Sequence, residues 1–129
     1  MDDSSTPRQR LQADLTRTVD RLRTLGLARL EADFAPEPTR ADAARRVAQH
    51  LADVTADLEG RPRRPLPVLG VQASGDQLAV VGHDLLAATS DPGTSTVPTD
   101  LRTDRVGSAE LDAVVLEAAD LLLDLRRRL

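Results

Sequence analysis

The most apolar stretch in the middle of the chain is residues 74–88, and it predicts a helix. At 100° per residue, the apolar residues that share one face are Leu78, Val81, Leu85 and Ala88. The opposite side is also partly apolar, because it carries Val80 and Ala87 with His83 at its edge. A helix that is apolar on nearly all sides is typical of a position inside a bundle. We therefore expect a short buried helix here, packed against longer ones.

The start of this segment allows two interpretations. Ser74 and Gln77 have the spacing of a capping box, in which two side chains bind backbone N–H groups at a helix start. The competing interpretation is a β-hairpin over residues 68–81, with its turn at residues 74–76. The alternation of apolar and polar residues that a strand needs fails over residues 78–83, so the pattern favours the helix.

Three longer segments repeat apolar residues at spacings of three and four, as amphipathic helices do. The first begins at Thr6 and breaks near Gly26, after which a short helical piece reaches about residue 33. The second runs from Thr39 to Gly60, and the last begins at Gly107. Their apolar stripes are Leu11, Leu15, Thr18, Leu22 and Leu25; Ala44, Val47, Leu51, Val54 and Leu58; and Leu111, Val115, Ala118, Leu122, Leu125 and Leu129.

Together these four segments predict an all-α protein with a four-helix bundle-like fold. The length fits a single helical domain over residues 1–129, with residues 1–5 frayed at the N-terminus. Long irregular linkers, residues 60–73 and 89–106, flank the short buried third helix. The second linker is rich in serine, threonine and proline, and a connection of this length is uncommon unless it is mobile or functional.

Composition narrows the function mainly by exclusion. The chain has no cysteine, so it holds no disulfide and no thiolate nucleophile or metal ligand. Its 17 basic residues are all arginine, which is typical of a GC-rich bacterial genome. The net charge of −4, with both signs mixed, argues against a general nucleic-acid or anionic-membrane surface. No segment resembles a signal peptide or a membrane span, and we expect a cytoplasmic protein with no membrane partner and no cofactor.

The chain has two histidines, and each lies near carboxylates. His83 precedes Asp84, but adjacent residues on a helix point 100° apart, so these two side chains do not meet. The residues on the same helix side as His50 are Arg46, Asp53 and Asp57. One imidazole and two carboxylates leave a metal coordination sphere open. We therefore expect a solvent-facing side with ordinary ion pairs and no metal site.

Arg45 and His50 also form an R-x4-H pattern on the predicted second helix. This pattern is similar to the motif of HEPN-domain ribonucleases, which are helical bundles that act as dimers. The resemblance covers six residues. It implies that Arg45 binds phosphate and that His50 acts in acid–base chemistry on RNA, so a HEPN-like ribonuclease is one alternative function.

The first linker contains a small basic patch, formed by Arg61, Arg63 and Arg64. Such a patch suggests contact with a phosphate or an acidic partner. No aromatic residue is interleaved for base stacking, since Phe34 is the only aromatic residue in the chain. The patch supports a second alternative, a nucleic-acid-associated regulator, beside the simpler interpretation of a stiff, solvated linker.

The leading hypothesis is a non-catalytic interaction or scaffold protein. Its motivation is a surplus of aliphatic helix faces, because a four-helix core buries about one stripe per helix. The candidate contact residues are Val80, His83, Ala87, Leu116 and Leu123, together with Leu27, Leu30 and Phe34. A homodimer is the simplest way to bury such faces, and a different protein partner is the other way. We expect no catalytic residue, with Arg45, His50 and His83 as the candidates to test.

Overall fold

A computed structural model describes residues 5–90 and 101–129 of the chain and confirms the all-α class. About three quarters of the residues are helical. The helices are α1 (Pro7–Thr24), α2 (Leu27–Glu31), α3 (Arg40–Leu58), α4 (Ser74–Ala88) and α5 (Leu101–Arg128). A 3₁₀ turn, Val71–Ala73, precedes α4, and a two-stranded antiparallel hairpin, β1 (Asp33–Phe34) and β2 (Glu37–Thr39), precedes α3. The hydrophobic pattern does not predict this hairpin.

The ends of α1 and α3 follow from local chemistry that the sequence shows. Thr6 caps α1 by accepting a hydrogen bond from the backbone N–H of Gln9, and the Gln9 side chain accepts one from the backbone N–H of Thr6. Thr39 caps α3 by accepting from the backbone N–H of Asp42. Gly60 follows α3 with φ +69°, a conformation that glycine adopts without strain. The predicted break near Gly26 is also confirmed.

The longer helices enclose one core, in which α4 contacts both α1 and α3 extensively. Gly75 lies against Val19, whereas Gly82 lies against Leu15, so α4 runs antiparallel to α1. Arg45 of α3 and Gln77 of α4 both bind the linker, and further along Ala52 and Val81 line one groove. Helices α3 and α4 therefore run in the same direction. The linker between them runs back from the C-terminal end of α3 to the N-terminal end of α4.

Gly82 marks the closest approach of α1 and α4. A Cβ atom placed there would lie 3.0 Å from Cγ of Leu15 and closer still to both of its methyl groups. The small residue at this position lets the backbone of α4 approach the side chain of Leu15. Both Leu15 and the neighbouring Leu85 are almost completely buried, so the contact lies in the core.

Helix α4 has the predicted bounds, but its start and its burial differ from prediction. The capping box is wrong: Ser74 Oγ donates to the carbonyl of Val71 at 2.6 Å, and Gln77 Nε2 donates to that of Pro67 at 3.0 Å. The hairpin interpretation of residues 68–81 is also wrong. The prediction of burial on nearly all sides is wrong as well, since Val80 is 60% exposed. With α1 and α3 on its inner sides, the helix keeps an outer face open.

Helix α3 turns a different stripe to the core from the predicted one. The buried residues at spacings of three and four are Ala41, Ala44, Ala48, Leu51 and Thr55. Of the predicted stripe, Val47 and Val54 are only half-buried and Leu58 is exposed. Small side chains let α3 lie close to its neighbours, so the alanines occupy the core side. The larger valines lie at the margin.

The last helix is longer than predicted. Its start at Leu101, where residue 107 was expected, shortens the predicted linker of residues 89–106. Residues 91–100 of that linker lie outside the described part of the chain. From Val115 onward the predicted stripe is buried, and Leu111 is half-buried. Among the described residues, no helix has both the length and the hydropathy that a membrane span requires.

Candidate interaction surfaces

Arg45 and His50, the residues of the R-x4-H pattern, contact different neighbours. Arg45 Nη2 donates to the carbonyl of Leu66 at 2.9 Å and so fixes the linker to α3. His50 Nε2 lies 3.7 Å from Oε1 of Glu117 on α5. Five residues on a helix correspond to about 140° of rotation, which accounts for the divergence. Within one copy of the chain the two side chains therefore contact different elements, the linker and α5.

His83 and Asp84 are both exposed on the outer face of α4 and point apart, as helix geometry predicts. On α3, Asp53 accepts a hydrogen bond from Gln49 Nε2 at 3.0 Å, and Asp57 is paired with Arg63. Within residues 5–90 and 101–129, no three His, Asp or Glu side chains with described positions come together as metal ligands.

Two of the three arginines in the linker have acidic partners. Arg63 binds Asp57 through two hydrogen bonds of 3.0 and 2.6 Å, and Arg61 forms an ion pair with Glu59. The hydrogen bond from Arg63 lowers the pKa of Asp57, which keeps this carboxylate charged. The paired charges leave Arg64, exposed at the edge of the linker, as the main cation of the predicted basic patch.

The linker and α4 together present an exposed aliphatic surface. Gln77 holds the linker to α4 at Pro67, directly before Val68 and Leu69. These two residues are 83% and 49% exposed, and Val80, one turn beyond Gln77, is 60% exposed. We call Val68, Leu69, Val80 and the exposed Ala87 the α4–linker face. On α4 the polar His83 and Asp84 lie between Val80 and Ala87.

A shallow groove of about 250 Å³ passes beneath the linker, between α3 and α4. Its floor contains Ala52, Ala56 and Val81, and Pro65 and Leu66 form its roof. Val80 lies at its edge, so the groove extends the α4–linker face inward.

The second surface is a groove of about 310 Å³ between α3 and α5. These two helices contact each other much less than α3 contacts α4 or α5 contacts α1. We call it the α3–α5 groove. Its apolar floor consists of Ala43, Val47, Leu121 and Leu125. Its α3 rim carries Arg46 and His50, and its α5 rim carries Glu117 and Asp124. Arg128 also lines the groove from α5, but it pairs with Glu37 at one end. Arg46 therefore gives the α3 rim a positive charge, and the two carboxylates give the α5 rim a negative one.

Glu37 closes one end of the α3–α5 groove. Its carboxylate accepts a hydrogen bond of 2.6 Å from Arg128 Nη2 and lies 3.7 Å from Arg46 Nη1. The hydrogen bond from Arg128 is the largest cause that lowers the pKa of Glu37. The Phe34 ring lies between the guanidinium groups of Arg40 and Arg128, each 4.8 Å from its centre. These contacts fix the C-terminal end of α5 to the hairpin and to α3.

Leu116 and Leu123 were expected to be exposed contact residues, but both are half-buried. Helix α5 packs extensively against α1, which covers part of its second apolar stripe. Leu30 is buried and Phe34 is half-buried, whereas Leu27 remains 53% exposed on α2. Of the predicted contact residues on α4 and α5, Val80, His83 and Ala87 are the ones that remain exposed.

Comparison of this chain with protein-family models, with curated proteins and with solved structures finds no match. The short R-x4-H resemblance is therefore not accompanied by a match to any family model.

Proposed function

We propose that this chain is a non-catalytic protein that binds another protein through the α4–linker face. The observation that carries the proposal is the clustering of exposed aliphatic side chains. Five large hydrophobic side chains are exposed by more than a third among those the structure describes, and Val68, Leu69 and Val80 are three of them. Leu27 and Leu58 lie on other elements.

Clustering matters because single exposed aliphatic residues are common on protein surfaces, whereas contiguous ones mark contact sites. Burial of apolar surface contributes about 25 cal/mol for each Å² removed from water. The apolar part of the face is formed by Val68, Leu69 and Val80, and on α4 the polar His83 and Asp84 separate Val80 from Ala87. Apolar and polar side chains lie side by side in this way in many protein–protein contacts. Helix α4 and the linker are held together by Gln77, so the face is largely preformed.

The charges favour a protein partner over a nucleic acid. Binding of nucleic acid depends on arginines that are free to neutralise phosphates. Arg61 and Arg63 instead neutralise Glu59 and Asp57 within the chain, and the whole chain has a net charge of −4. The cytoplasmic location belongs to the same proposal and stays a prediction.

The test is capture of partners from an extract of the source cells by four immobilised forms of the chain. These are the wild type, Val68→Asp, Val80→Asp and the matched control Leu27→Asp. All three substitutions place a carboxylate at an exposed position, so helicity by circular dichroism should be retained. Leu27→Asp makes the same kind of change away from the α4–linker face.

The expected result is a protein that the wild type and Leu27→Asp retain and that both valine variants lose. The captured protein, once purified, should bind the wild type directly, with an affinity at least about tenfold lower for Val80→Asp. Equal capture by all four forms, or no specific capture by any, contradicts the proposal. RNA degradation by the wild type that Arg45→Ala and His50→Ala both abolish would favour the ribonuclease alternative instead.

A further inference from the structure

The α3–α5 groove has an asymmetry of charge that suggests what covers it. The α3 rim carries Arg46, which is 77% exposed, and His50; the α5 rim carries Glu117 and Asp124. An apolar floor between two rims of opposite sign is complementary to a surface with the same floor and exchanged rims. A second copy of this chain, turned about a two-fold axis, presents such a surface.

The heights of the charges along the groove fit that symmetry. His50 and Glu117 face each other at 3.7 Å, so they lie at the same height on antiparallel helices. At 1.5 Å per residue, Arg46 lies about 6 Å and Asp124 about 10 Å from that level, both toward Arg128 and the hairpin end. Rotation about a two-fold axis parallel to the groove leaves the position of each residue along the groove unchanged and exchanges the two sides of the groove. It therefore brings the α3 rim of one copy onto the α5 rim of the other, with basic residues opposite acidic ones.

We propose that two copies of the chain associate face to face across the α3–α5 groove, with Arg46 of each copy paired to Asp124 of the other and His50 paired to Glu117. The four helices at the contact then form a second, intermolecular bundle. Val47 and Leu121, half-buried in one copy, become fully buried in the pair.

The size of the surface indicates a reversible dimer. Helix α3 has 19 residues, so it is about 28 Å long, and two such helices side by side form a face roughly 20 Å wide. This area, on the order of 550 Å², is smaller than the roughly 800 Å² per partner of a standard specific interface. We expect a dissociation constant on the order of micromolar.

This inference goes beyond the proposed partner binding, since it concerns a different surface. The α4–linker face lies on α4 and residues 60–69, and none of its residues lines the α3–α5 groove. Val80→Asp should leave self-association unchanged, and the rim variants should leave partner capture unchanged. The two proposals can therefore fail separately.

The test uses two charge-reversal variants, Arg46→Asp and Asp124→Arg. In a two-fold dimer each substitution creates two repulsive contacts, so each variant alone should dissociate about tenfold or more readily than the wild type. An equal mixture of the two should recover dimers, because both contacts then join an Asp to an Arg. Sedimentation equilibrium from about 1 µM to about 1 mM measures the wild type, the two variants and their mixture, with helicity checked by circular dichroism.

Recovery of dimers in the mixture supports the proposal. A wild type that stays monomeric throughout this range overturns it, as do single variants that dimerise like the wild type. A mixture that stays monomeric although both variants are folded also overturns it. Because Arg46 contacts Glu37, its replacement can disturb the fold. The pair His50→Glu and Glu117→Arg applies the same design to the other proposed contact. These side chains are exposed and bind no residue of the hairpin, so they decide the question in that case.

Discussion

Helix α3 has two long neighbours and meets them in different ways. Toward the core and α4 it presents alanines at positions 41, 44 and 48, and the contact is close. Toward α5 it presents Val47 between Arg46 and His50, and a groove remains. Side-chain size and charge at the margin of the helix therefore decide where the bundle closes. Hydrophobicity alone would have closed it along Val47 and Val54.

The largest effect should come from a charge placed in the closed part. Leu85 is completely buried, so Leu85→Asp leaves a carboxylate without a partner in the core and should cost about 3–5 kcal/mol or unfold the domain. Val80→Asp, on the outer face of the same helix, is the matched control and should change stability by less than about 0.5 kcal/mol. Urea denaturation followed by circular dichroism measures both. A folded, stable Leu85→Asp variant would show that α4 does not close the core.

The contrast between the two sides of α3 predicts opposite responses to added volume. Ala48→Leu overfills the close contact and should destabilise the protein by about 1–3 kcal/mol. Val47→Leu, one residue away, points into the α3–α5 groove and should change stability by less than about 0.5 kcal/mol. Thermal denaturation at neutral pH compares the two variants. Equal losses would mean that the groove is as tightly filled as the core side.

Gly82 allows the same test at the contact of α4 with α1. A Cβ at position 82 would overlap Leu15, so Gly82→Ala should destabilise the protein. The overlap should outweigh the higher helix propensity of alanine, which by itself favours the variant by about 1 kcal/mol. Gly82→Leu should be worse, with a loss of about 1–3 kcal/mol. Combining Gly82→Ala with Leu15→Ala tests the contact directly. The loss in the double variant should be smaller than the sum of the two single losses.

The sequence predicts the elements of this fold well where local chemistry determines them. Thr6, Thr39 and Gly60 sit at helix ends because their side chain or backbone satisfies the terminal groups. The start of α4 at Ser74 was predicted, but its capping was not, because Ser74 and Gln77 bind the preceding turn and the linker instead. Those partners are set by how the linker folds back, which no local spacing records.

Which face of α3 is buried depends on its neighbours, so the pattern of large aliphatic residues was misleading. A small residue such as Ala48 can be assigned to a close helix contact only once the opposing helix, here α4, is known. The α3–α5 groove shows the same limit. Arg46 and His50 were recognised as a polar side of α3, but Glu117, Asp124 and Glu37 meet them only through the tertiary fold. Phe34 in β1, the chain's lone aromatic residue, was the available signal for the cluster at the groove's end.

The smallest effect on stability should come from Glu37, which binds Arg128 at the end of the groove, and this effect should depend on pH in one direction. The pKa of Glu37 is lowered in the folded protein by its hydrogen bond from Arg128, so its contribution to stability is full above the ordinary value of 4.5. The contribution is lost as the pH falls through the lower, folded-state pKa. Glu37→Gln should therefore lower the melting temperature at pH 7, and the difference from the wild type should shrink as the pH falls below 4.5.

Glu31→Gln is the control for this measurement, because it removes the same charge at an exposed position of α2 without touching either arginine. It should show a smaller change at pH 7 and little dependence on pH. A Glu37→Gln difference that stays constant into acid would mean that the carboxylate's charge does not hold α5 to the hairpin. In that case Phe34, stacked between Arg40 and Arg128, would close this end of the groove by itself, and Phe34→Ala would be the more damaging change.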